Sequence, residues 1–492
     1  MEPTLFDRIF AKPLPIDHLE RVDGWGGAVG GTGYVWRPAT IDQLRDAFCI
    51  ASESNRTVTL RGAGRSYGDA AYGEENIVVE LTRMNRILEW EPTSGIITIE
   101  AGVTLKQLWQ YCIQDGWWPP VVSGTMFPTV GGLLGMNIHG KNNFKAGPIG
   151  DHVLKFEFMT PAGELFEVSR ESDREVFYGV ISSFGMLGCI TKVTLQMKKV
   201  ESGDLLVESI ATRDLHELFT VFEERLPQSD YLVGWVDAFA EGKELGRSQI
   251  HQANYLHADE DPNPTQTLRL EHQELPETIL GFFPKSITWL FMYPFTNNVG
   301  WRFVCWMKYM ASAIAPKGKK FRQSHAGFAF LLDYVPNWKK AYGKHGLIQY
   351  QSFIPKERAE EVFRKQFQMC QRAGYPPYLA VFKRHKPDDF LMTHAVDGYS
   401  MALDFKITDK NRAAIWQLAQ KMNDVVLDAG GRFYFAKDAT LTSGAFHRYM
   451  GEERIEKLLT LKKRFDPENM LETALSKRVL GDLRVSQAPV PL

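Results

Sequence analysis

The sequence predicts an α+β fold with more than one domain. Its 492 residues are 44% hydrophobic and 24% charged, a composition that suits a globular chain long enough for two or three domains. Up to about residue 202, strand-like runs and amphipathic helices alternate with two glycine-rich loops. Beyond that point the loops stop, and helices alternate with strand-like runs. Such a pattern is typical of a sheet that helices cover on one side.

The individual elements are predicted from the spacing of apolar residues. Residues 1–36 are rich in glycine, and we expect them to form an irregular lead-in. Thr40 is a favourable N-cap for a helix at 41–51, and Gly116 ends a second helix at 104–115. A third helix is predicted at 215–226. Strands are predicted at 57–62, 77–81, 87–91, 95–102, 231–236, 347–353, 379–382 and 399–405.

Two glycine-rich loops carry the strongest functional signal. Residues 60–70 read LRGAGRSYGDA, and residues 123–142 read SGTMFPTVGGLLGMNIHGKN. Glycines let a backbone turn sharply and bring its N–H groups against phosphate oxygens. In the second loop, Gly131 and Gly132 open a predicted helix at 133–138 whose free amides suit an anion. One glycine cluster is usually only a turn, but the pair predicts a large anionic ligand held at two points.

The spacing of the first loop disfavours a nicotinamide-binding Rossmann domain. That fingerprint needs GxGxxG between a strand and a helix, with an acidic residue about twenty positions later. Here Gly62, Gly64 and Gly68 are spaced differently, and Asp69 follows directly. An early strand with a tight loop, followed by a second glycine turn, a helix and another sheet, favours the two-subdomain FAD fold.

Charge and cysteine usage exclude several classes of protein. The formal net charge of −2 and a pI near 6.7 argue against nucleic-acid binding, which needs a basic stripe. The five cysteines form no CxxC pair, so we expect no metal site and no redox disulfide. We expect all five to be buried thiols of a reducing compartment. The N-terminus has acidic residues and prolines where a signal peptide needs an apolar run, so we expect a cytoplasmic protein.

An aromatic segment at 279–315 precedes a basic run, KGKKFR, at 317–322. No window reaches eighteen consecutive apolar residues, so no spanning helix is expected. Aromatic side chains beside lysines are typical of a membrane interface, and 279–322 is therefore a candidate peripheral membrane contact. The alternative is that the aromatic side chains pack beneath the substrate domain and the lysines form a solvated loop.

Several motifs resemble, in order and spacing, the FAD-binding half of the vanillyl-alcohol-oxidase flavoprotein superfamily. These are RGAGRSYGD at 61–69, GTMFPTVGGLLGMNIHGKN at 124–142 and SFGMLGCITKVTL at 183–195. The resemblance continues in AYGKHGLIQYQSFIP at 341–355, VFK at 381–383, LDF at 403–405, GGRFYFAKDA at 430–439 and RFDPENML at 464–471. Within the superfamily, the chain is most similar to the flavoprotein subunits of decaprenylphosphoryl-β-D-ribose 2′-epimerases.

The resemblance implies a two-subdomain, PCMH-type FAD-binding domain with an antiparallel-sheet substrate cap. The implied division is an FAD-binding domain at 1–202, a cap at 203–428 and a C-terminal return to the FAD domain at 429–492. The implied FAD contacts are Arg61, Gly62, Ala63, Gly64, Arg65, Ser66, Tyr67, Gly68, Asp69, Gly124, Thr125, Thr129, Val130, Gly131, Gly132, Asn137, His139, Ile190 and Tyr434. Many relatives attach the flavin through a histidine just before the serine of the first loop. Arg65 occupies that position here, so we expect noncovalent FAD.

The resemblance also points to a catalytic lysine. Oxidation of an alcohol needs a hydride to move to flavin N5 while a base takes the hydroxyl proton. Lys437 is the candidate, either as a neutral base or as a positive charge beside a developing alkoxide. Tyr67 and His139 complete the expected polar wall. The alternatives are a surface lysine in a loop and a structural histidine.

Substrate contacts are implied at Gln349, Gln351, Lys383 and Trp235. Gln349 and Gln351 share one strand face because they are two residues apart. Gln349, Gln351 and Lys383 are expected to bind sugar hydroxyls, or else to be ordinary polar residues of strands. Trp235 is expected to cover the substrate or to belong to the core. The basic run at 384–387, RHKP, is expected to bind a phosphate or to form a charged turn.

The resemblance implies FAD-dependent oxidation of a secondary sugar alcohol to a ketone. The implied substrate is the 2′-hydroxyl of a polyprenyl-phosphoryl ribose in cell wall biosynthesis, with a separate short-chain reductase completing an epimerisation. One alternative is oxidation of a free alditol, sugar or aldonolactone, or reduction of a sterol-like alkene. Another is a non-enzymatic flavin-binding or membrane-associated scaffold. The expected location is cytoplasmic, with peripheral contact at the inner membrane face.

Overall fold

A computed structural model describes residues 13–279, 283–316 and 318–484 of the chain. Its strands are β1 (Leu19–Asp23), β2 (Gly30–Trp36), β3 (Val58–Arg61), β4 (Ile77–Glu80), β5 (Ile87–Glu91), β6 (Ile96–Glu100), β7 (Trp117–Trp118), β8 (Val153–Met159), β9 (Leu165–Ser169), β10 (Cys189–Gln196), β11 (Lys198–Lys199), β12 (Asp204–Thr212), β13 (Tyr231–Val236), β14 (Ser248–Tyr255), β15 (Thr278–Ile279), β16 (Phe283–Pro284), β17 (Lys320–Ser324), β18 (Leu347–Pro355), β19 (Leu379–His385), β20 (Gly398–Lys406) and β21 (Arg432–Phe433).

The α-helices lie mainly between these strands and after the last of them. They are α1 (Ile41–Glu53), α2 (Leu105–Cys112), α3 (Val130–Gly135), α4 (Asn143–Ala146), α5 (Arg174–Val180), α6 (Leu215–Arg225), α7 (Pro264–Thr267), α8 (Leu270–Gln273), α9 (Thr288–Met292), α10 (Asn298–Ile314), α11 (His325–Ala329), α12 (Lys356–Arg372), α13 (Arg412–Asp428), α14 (Ser443–Met450), α15 (Glu452–Phe465) and α16 (Ala474–Leu480). Among the described residues, no helix is long and apolar enough to cross a membrane.

The first sheet has the strand order β1-β2-β4-β3, with β4 parallel to both of its neighbours. The expectation that residues 1–36 are irregular is wrong for β1 and β2, which form an antiparallel pair. These strands contain glycine because neighbouring atoms leave no room for a Cβ. Their glycine content makes the strands hard to recognise in the sequence. A Cβ at Gly30 would lie 2.0 Å from Asp23 Oδ1, and one at Gly33 would lie 2.8 Å from Val78 Cγ2. Residues 1–12 lie outside the described part of the chain.

The second sheet is antiparallel, in the order β5-β6-β10-β8-β9. Helix α2 lies within the predicted helix at 104–115, and it begins at a capping box between Thr104 and Gln107. A 3₁₀ turn over Ile113–Asp115 follows, and Gly116 ends it with φ of 76°. The predicted strands and helices of this half are confirmed to within a few residues.

The third sheet is antiparallel and has the order β17-β12-β14-β13-β19-β20-β18-β21. Helices α6, α12 and α13 cover one face, where Phe222 and Phe363 pack edge-to-face on Phe382. Strand β21, from the C-terminal part, adds the last edge. The α+β class, with a separate antiparallel sheet, is confirmed, and the boundaries at 202 and 428 stay predictions.

The cysteines are all free, and four of them are buried as expected. Cys49 is the exception, because it is exposed. The buried face of α1 carries Leu44, Ala47, Phe48 and Ala51, and Cys49 points away from that face. The expectation of five buried thiols is therefore wrong at Cys49.

Candidate active site

A cavity of about 1000 Å³ lies where the two glycine-rich loops meet the third sheet, which we call the cap sheet. Its wall combines residues of the first loop, the second loop, the strands β13, β18, β19 and β20, and the C-terminal segment that carries Lys437. The structure therefore brings together parts of the chain that are nearly four hundred residues apart.

Most of the predicted site residues line this cavity. They are Arg61, Gly62, Ala63, Gly64, Arg65, Ser66, Tyr67, Gly124, Thr125, Thr129, Gly131, Gly132, His139, Ile190, Trp235, Gln349, Gln351, Lys383, Tyr434 and Lys437. The others, Gly68, Asp69, Val130 and Asn137, lie behind the lining. A Cβ at Gly68 would lie 1.6 Å from the Asp438 carbonyl oxygen, and Asn137 accepts from the Gly150 amide at 3.0 Å. These residues support the wall.

The first loop offers its backbone to the cavity. The amides of residues 62–66 donate to no protein acceptor within the described part of the chain. Gly64 has φ of 61°, a conformation that favours glycine. Buried Arg65 Nε also lacks a hydrogen-bond partner there. Successive free amides beside a guanidinium form a suitable cradle for phosphate oxygens.

The second loop differs from its prediction. Helix α3 begins at Val130, three residues earlier than expected, and its first amides are already used. Val130 donates to the Val103 carbonyl at 2.8 Å, and Gly131 donates to the Ala101 carbonyl at 2.7 Å. Gly132 donates to the Thr129 side chain at 3.4 Å. The predicted anion site at this helix start is therefore wrong, because these amides hold the wall together.

Lys437 is held in the cavity wall by an aromatic ring. Its Nζ lies 3.6 Å from the ring centroid of Tyr67, a cation–π distance. Burial lowers the pKa of Lys437, the charge of Asp404 opposes that shift, and the charge of Lys383 adds to it. The ordinary reason for a buried amine to lose its proton is therefore present.

Asp404 is a residue that sequence reasoning missed. It is fully buried on β20 opposite Gln349, whose side-chain amide donates to Asp404 Oδ1. Asp404 Oδ2 has no partner among the described residues, and burial raises the pKa of this carboxyl. A buried carboxyl close to Lys437 gives the site a second group that can exchange a proton.

The register of the cap strands explains which side chains share the cavity face. Trp235 lies opposite Val381, Val381 opposite Ala402, and Ala402 opposite Gln351, so these four form one row across the sheet. The neighbouring row contains Gln349. Because alternate residues of a strand face the same side, Gln349 and Gln351 share this face, as predicted.

A chain of hydrogen bonds runs away from the cavity behind His139. Gln351 Nε2 donates to His139 Nε2 at 3.2 Å and to Ser400 Oγ at 3.3 Å. Ser400 Oγ lies 2.7 Å from His385 Nε2, and His385 Nδ1 lies 3.0 Å from Asn143 Oδ1. Burial lowers the pKa of His139 and of His385, with smaller effects from nearby cations, so both imidazoles are neutral.

The Gln351 amide, in the orientation that donates to His139, favours one tautomer. A neutral His139 that accepts at Nε2 carries its proton on Nδ1, and buried Nδ1 has no protein partner among the described residues. The Nδ1–H is then a donor that the polar network behind His139 leaves free.

Two further histidines, which the sequence analysis did not place at the site, lie beside His139. The rings of His385 and His394 lie 4.8 and 5.3 Å from the ring of His139. His385 belongs to the basic run at 384–387, which the sequence analysis interpreted as a phosphate site or a charged turn, so its place beside His139 was missed. Its charges are used internally, since Arg384 pairs with Asp397 at 2.6 Å.

The cavity is covered by a segment that sequence reasoning also missed. Asp333 accepts from Thr125 Oγ1 at 2.7 Å and from the Met126 amide at 2.8 Å. The amide of Leu332 donates to the Gly124 carbonyl at 3.2 Å. These bonds fix the segment around Asp333 on the second loop. Within the described ranges, no group of three or more His, Cys, Asp or Glu residues is placed to hold a metal ion.

Comparison with known proteins identifies an FAD-binding domain in the N-terminal part of the chain. Residues 32–169 match the family model described as FAD binding domain. The chain is 28% identical to decaprenylphosphoryl-beta-D-ribose oxidase of Mycolicibacterium smegmatis, over 94% of this chain and 97% of that protein. It is 22% identical to L-gulonolactone oxidase of Mus musculus, over 90% of this chain and 94% of that protein. It is 28% identical to mitochondrial L-galactono-1,4-lactone dehydrogenase 2 of Oryza sativa, over 37% of this chain and 31% of that protein.

The fold, the cavity and these relatives define the protein as an FAD-dependent oxidoreductase. The FAD-binding domain and these similarities support a place in the vanillyl-alcohol-oxidase superfamily, and the similarity to the decaprenylphosphoryl ribose oxidase extends over nearly the whole chain. The superfamily resemblance seen in the sequence is confirmed, as is FAD as the cofactor.

The residues present fit FAD. The unpaired amides of residues 62–66 and the unpaired Arg65 Nε suit a pyrophosphate, and the free Nδ1–H of His139 suits a polar edge of a flavin ring. Arg65 stands where many relatives attach the flavin, so noncovalent binding remains the prediction.

Substitution of Gly62 by valine tests the first-loop cradle. A Cβ here would lie 2.1 Å from Thr129 Oγ1, so the loop must move and its amides lose their alignment. We expect Gly62→Val to weaken FAD binding at least about tenfold, which corresponds to about 1.4 kcal/mol. Absorbance titration of FAD into the deflavinated protein measures this.

The matched control is Gly444→Val, because a Cβ at Gly444 meets nothing within 4 Å. It should bind FAD like the unmodified protein. Equal affinity in Gly62→Val would show that the first loop does not form the cradle.

Proposed function

We propose that the protein oxidises the 2′-hydroxyl of a polyprenyl-phosphoryl ribose to a ketone by hydride transfer to flavin N5. The observation that carries this proposal is the position of Lys437 and Tyr67 in one cavity with the polar cap side chains Gln349, Gln351 and Lys383. The similarity to a decaprenylphosphoryl-beta-D-ribose oxidase supports the choice of substrate. Bound FAD supplies the hydride acceptor.

Lys437 takes the proton of the substrate hydroxyl in this proposal. Its pKa is lowered by burial, which favours the neutral amine that a base requires. Tyr67 holds the ammonium that forms, since its ring lies 3.6 Å from Nζ. Asp404, near Lys437, stabilises the same positive charge.

The cap positions the sugar. Gln349 and Gln351 face the cavity from one strand, and their amides can donate to or accept from neighbouring hydroxyls. Lys383 and Trp235 face it from β19 and β13, which pair with each other. A ring covered by an indole and held by amides has its reacting carbon fixed, and such positioning lowers the barrier for hydride transfer.

The second candidate function is oxidation of an aldonolactone or free alditol. The similarity to L-gulonolactone oxidase over 90% of this chain favours it. It uses the same lysine and the same cofactor. The two candidates differ in the substrate's phosphate and lipid, which only the first requires.

Anaerobic bleaching of the flavin by a panel of alcohols separates the two candidates. We expect a short-chain prenylphosphoryl ribose to reduce the flavin at least about a hundredfold faster than an alditol or aldonolactone, since remote contacts contribute to the rate at the reacting carbon. Stopped-flow absorbance at the flavin band measures each rate.

Faster reduction by L-gulono-1,4-lactone or by xylitol would overturn the first candidate in favour of the second. Failure of every alcohol to bleach the flavin would contradict both and favour a non-enzymatic scaffold.

The aromatic segment after β15 supports contact with a membrane surface. On α10, Trp301, Cys305 and Lys308 face inward, whereas the outer face carries large apolar side chains. Val299, Phe303, Trp306, Met307 and Ile314 are all exposed. Exposed Leu290 and Phe291 of α9 extend the same kind of surface. An exposed apolar surface of this extent marks an interaction site.

Charge favours an anionic bilayer as the partner. Lys319, Lys320 and Arg322 directly follow the helix and are exposed. Lysine and arginine beside exposed aromatic side chains suit anionic headgroups above an acyl layer. Lys285 and Lys308 of the same segment line the cavity, so the apolar surface adjoins the active site. Residues 280–282 and 317 of the predicted contact lie outside the described residues.

Sedimentation with vesicles of phosphatidylcholine and phosphatidylglycerol tests this contact. We expect binding at low ionic strength that weakens as salt is added. Phe303→Ser with Trp306→Ser should reduce the affinity at least about tenfold, because two exposed aromatic side chains lose their burial in the bilayer.

Leu88→Ser with Leu165→Ser is the matched control, since both leucines are exposed on the other half of the molecule. Binding that survives the aromatic substitutions, or that is absent at low salt, would contradict the contact. A cytoplasmic location at the inner membrane face and a separate short-chain reductase remain predictions.

A further inference from the structure

We propose that Lys141, His251 and Lys308 form a subsite for the phosphate of the substrate. The proposal rests on the proposed function, because it assigns the anionic part of the same substrate. It also separates a phosphoryl sugar from a neutral lactone, which has no group that this subsite would hold.

The three side chains converge on one part of the cavity from separate elements. Lys141 lies near the end of the second glycine-rich loop, His251 lies on β14, and Lys308 lies on α10, and all three line the cavity. They are close enough for both lysines to lower the pKa of His251, whose main cause is burial. The three side chains therefore affect one another electrostatically as well as lining the same cavity.

Each lysine is held in place without a carboxylate. Lys141 Nζ donates to the carbonyl oxygens of Phe328 and Ala329, the latter at 3.2 Å. Lys308 Nζ lies 4.2 Å from the ring centroid of Trp235. Carbonyls and an indole fix an ammonium group in position without neutralising it.

The local charge is unbalanced. Burial lowers the pKa of Lys141 to about 7, with a smaller effect from Lys383, and desolvation also lowers the pKa of Lys308, whose side chain is still partly exposed. No acidic side chain contributes to the shift of Lys141 or His251, and the opposing group at Lys308 is the Cys305 thiol. The lining also contains Glu274, Glu277 and Asp333, but none of them contributes to these pKa shifts, and Asp333 is bonded to Thr125 and Met126. A bound anion would offset the mutual repulsion of the two lysines.

The position suits a phosphate between sugar and lipid. On the cap sheet, His251 pairs with Val233, and the row two residues along contains Trp235 and Gln351. The subsite therefore adjoins the row that is proposed to hold the sugar. Lys308 belongs to α10, whose opposite face carries exposed Phe303 and Trp306. One helix thus faces the phosphate on its inner side and the apolar surface on its outer side.

The basic run at 384–387, which the sequence offered as a phosphate site, has no free charge to offer. Arg384 pairs with Asp397 at 2.6 Å, His385 is bonded to Ser400, and Lys386 lies 3.7 Å from Asp151. Within the described ranges, Lys141 and Lys308 have no carboxylate partner. Lys141, His251 and Lys308 therefore form the better phosphate site.

The test uses a dead-end ligand, farnesyl methyl phosphate, and its neutral counterpart, farnesyl methyl ether. Neither contains a sugar hydroxyl, so binding to the FAD-loaded protein does not depend on oxidation. Isothermal calorimetry should give at least about tenfold tighter binding of the phosphodiester. In Lys308→Met this preference should fall to within about threefold, and Lys308→Arg should retain most of it.

His251→Leu is the second variant and should also reduce the preference, and exposed Lys410→Met is the matched control and should leave it unchanged. Equal binding of the two ligands by the unmodified protein would overturn the subsite. So would an unchanged preference in both Lys308→Met and His251→Leu. A phosphodiester preference in a protein whose flavin no ribose derivative reduces would support the subsite and contradict the proposed function alone.

Discussion

The site depends on the removal of Lys437 from water. A lysine in solution is protonated at neutral pH and cannot act as a base, and burial is the largest cause of its lowered pKa here. The ring of Tyr67 and buried Asp404 then stabilise the ammonium once a proton arrives. The cavity wall can therefore hold Lys437 both as the neutral amine and as the ammonium. A base needs both forms, because it takes up a proton and must lose it again.

That environment is assembled from both ends of the chain. Arg478, on the last described helix, binds Asp69 of the first loop and Asp438 beside Lys437, each at 2.8 Å. The Tyr67 amide also donates to the Ala436 carbonyl at 2.8 Å. These contacts hold the first loop and the segment that carries Lys437 together as one unit. Asp69 thus acts on the site through Arg478, although it does not face the cavity.

The sequence predicted the cofactor and most of the wall because motifs are local. Glycine spacing, Arg65 and the lysine segment can be recognised without knowing which strands pair. Asp404, His385 and the subsite cations could not be found that way, since strand register and long-range packing place them. Glycine also misled the prediction twice, by concealing β1 and β2 and by suggesting free amides at α3. In both places its function is close packing of the backbone.

The pH dependence of anaerobic flavin reduction tests the role of Lys437 most directly. The rate constant should rise with pH to an inflection below the ordinary lysine pKa of about 10.4, because the neutral amine is the proposed base. Lys437→Met should lose the inflection and slow reduction at least about a hundredfold, and exposed Lys421→Met should retain both features. A rate that falls as pH rises, or a Lys437→Met protein with the unmodified rate and profile, would contradict the assignment of Lys437 as the base.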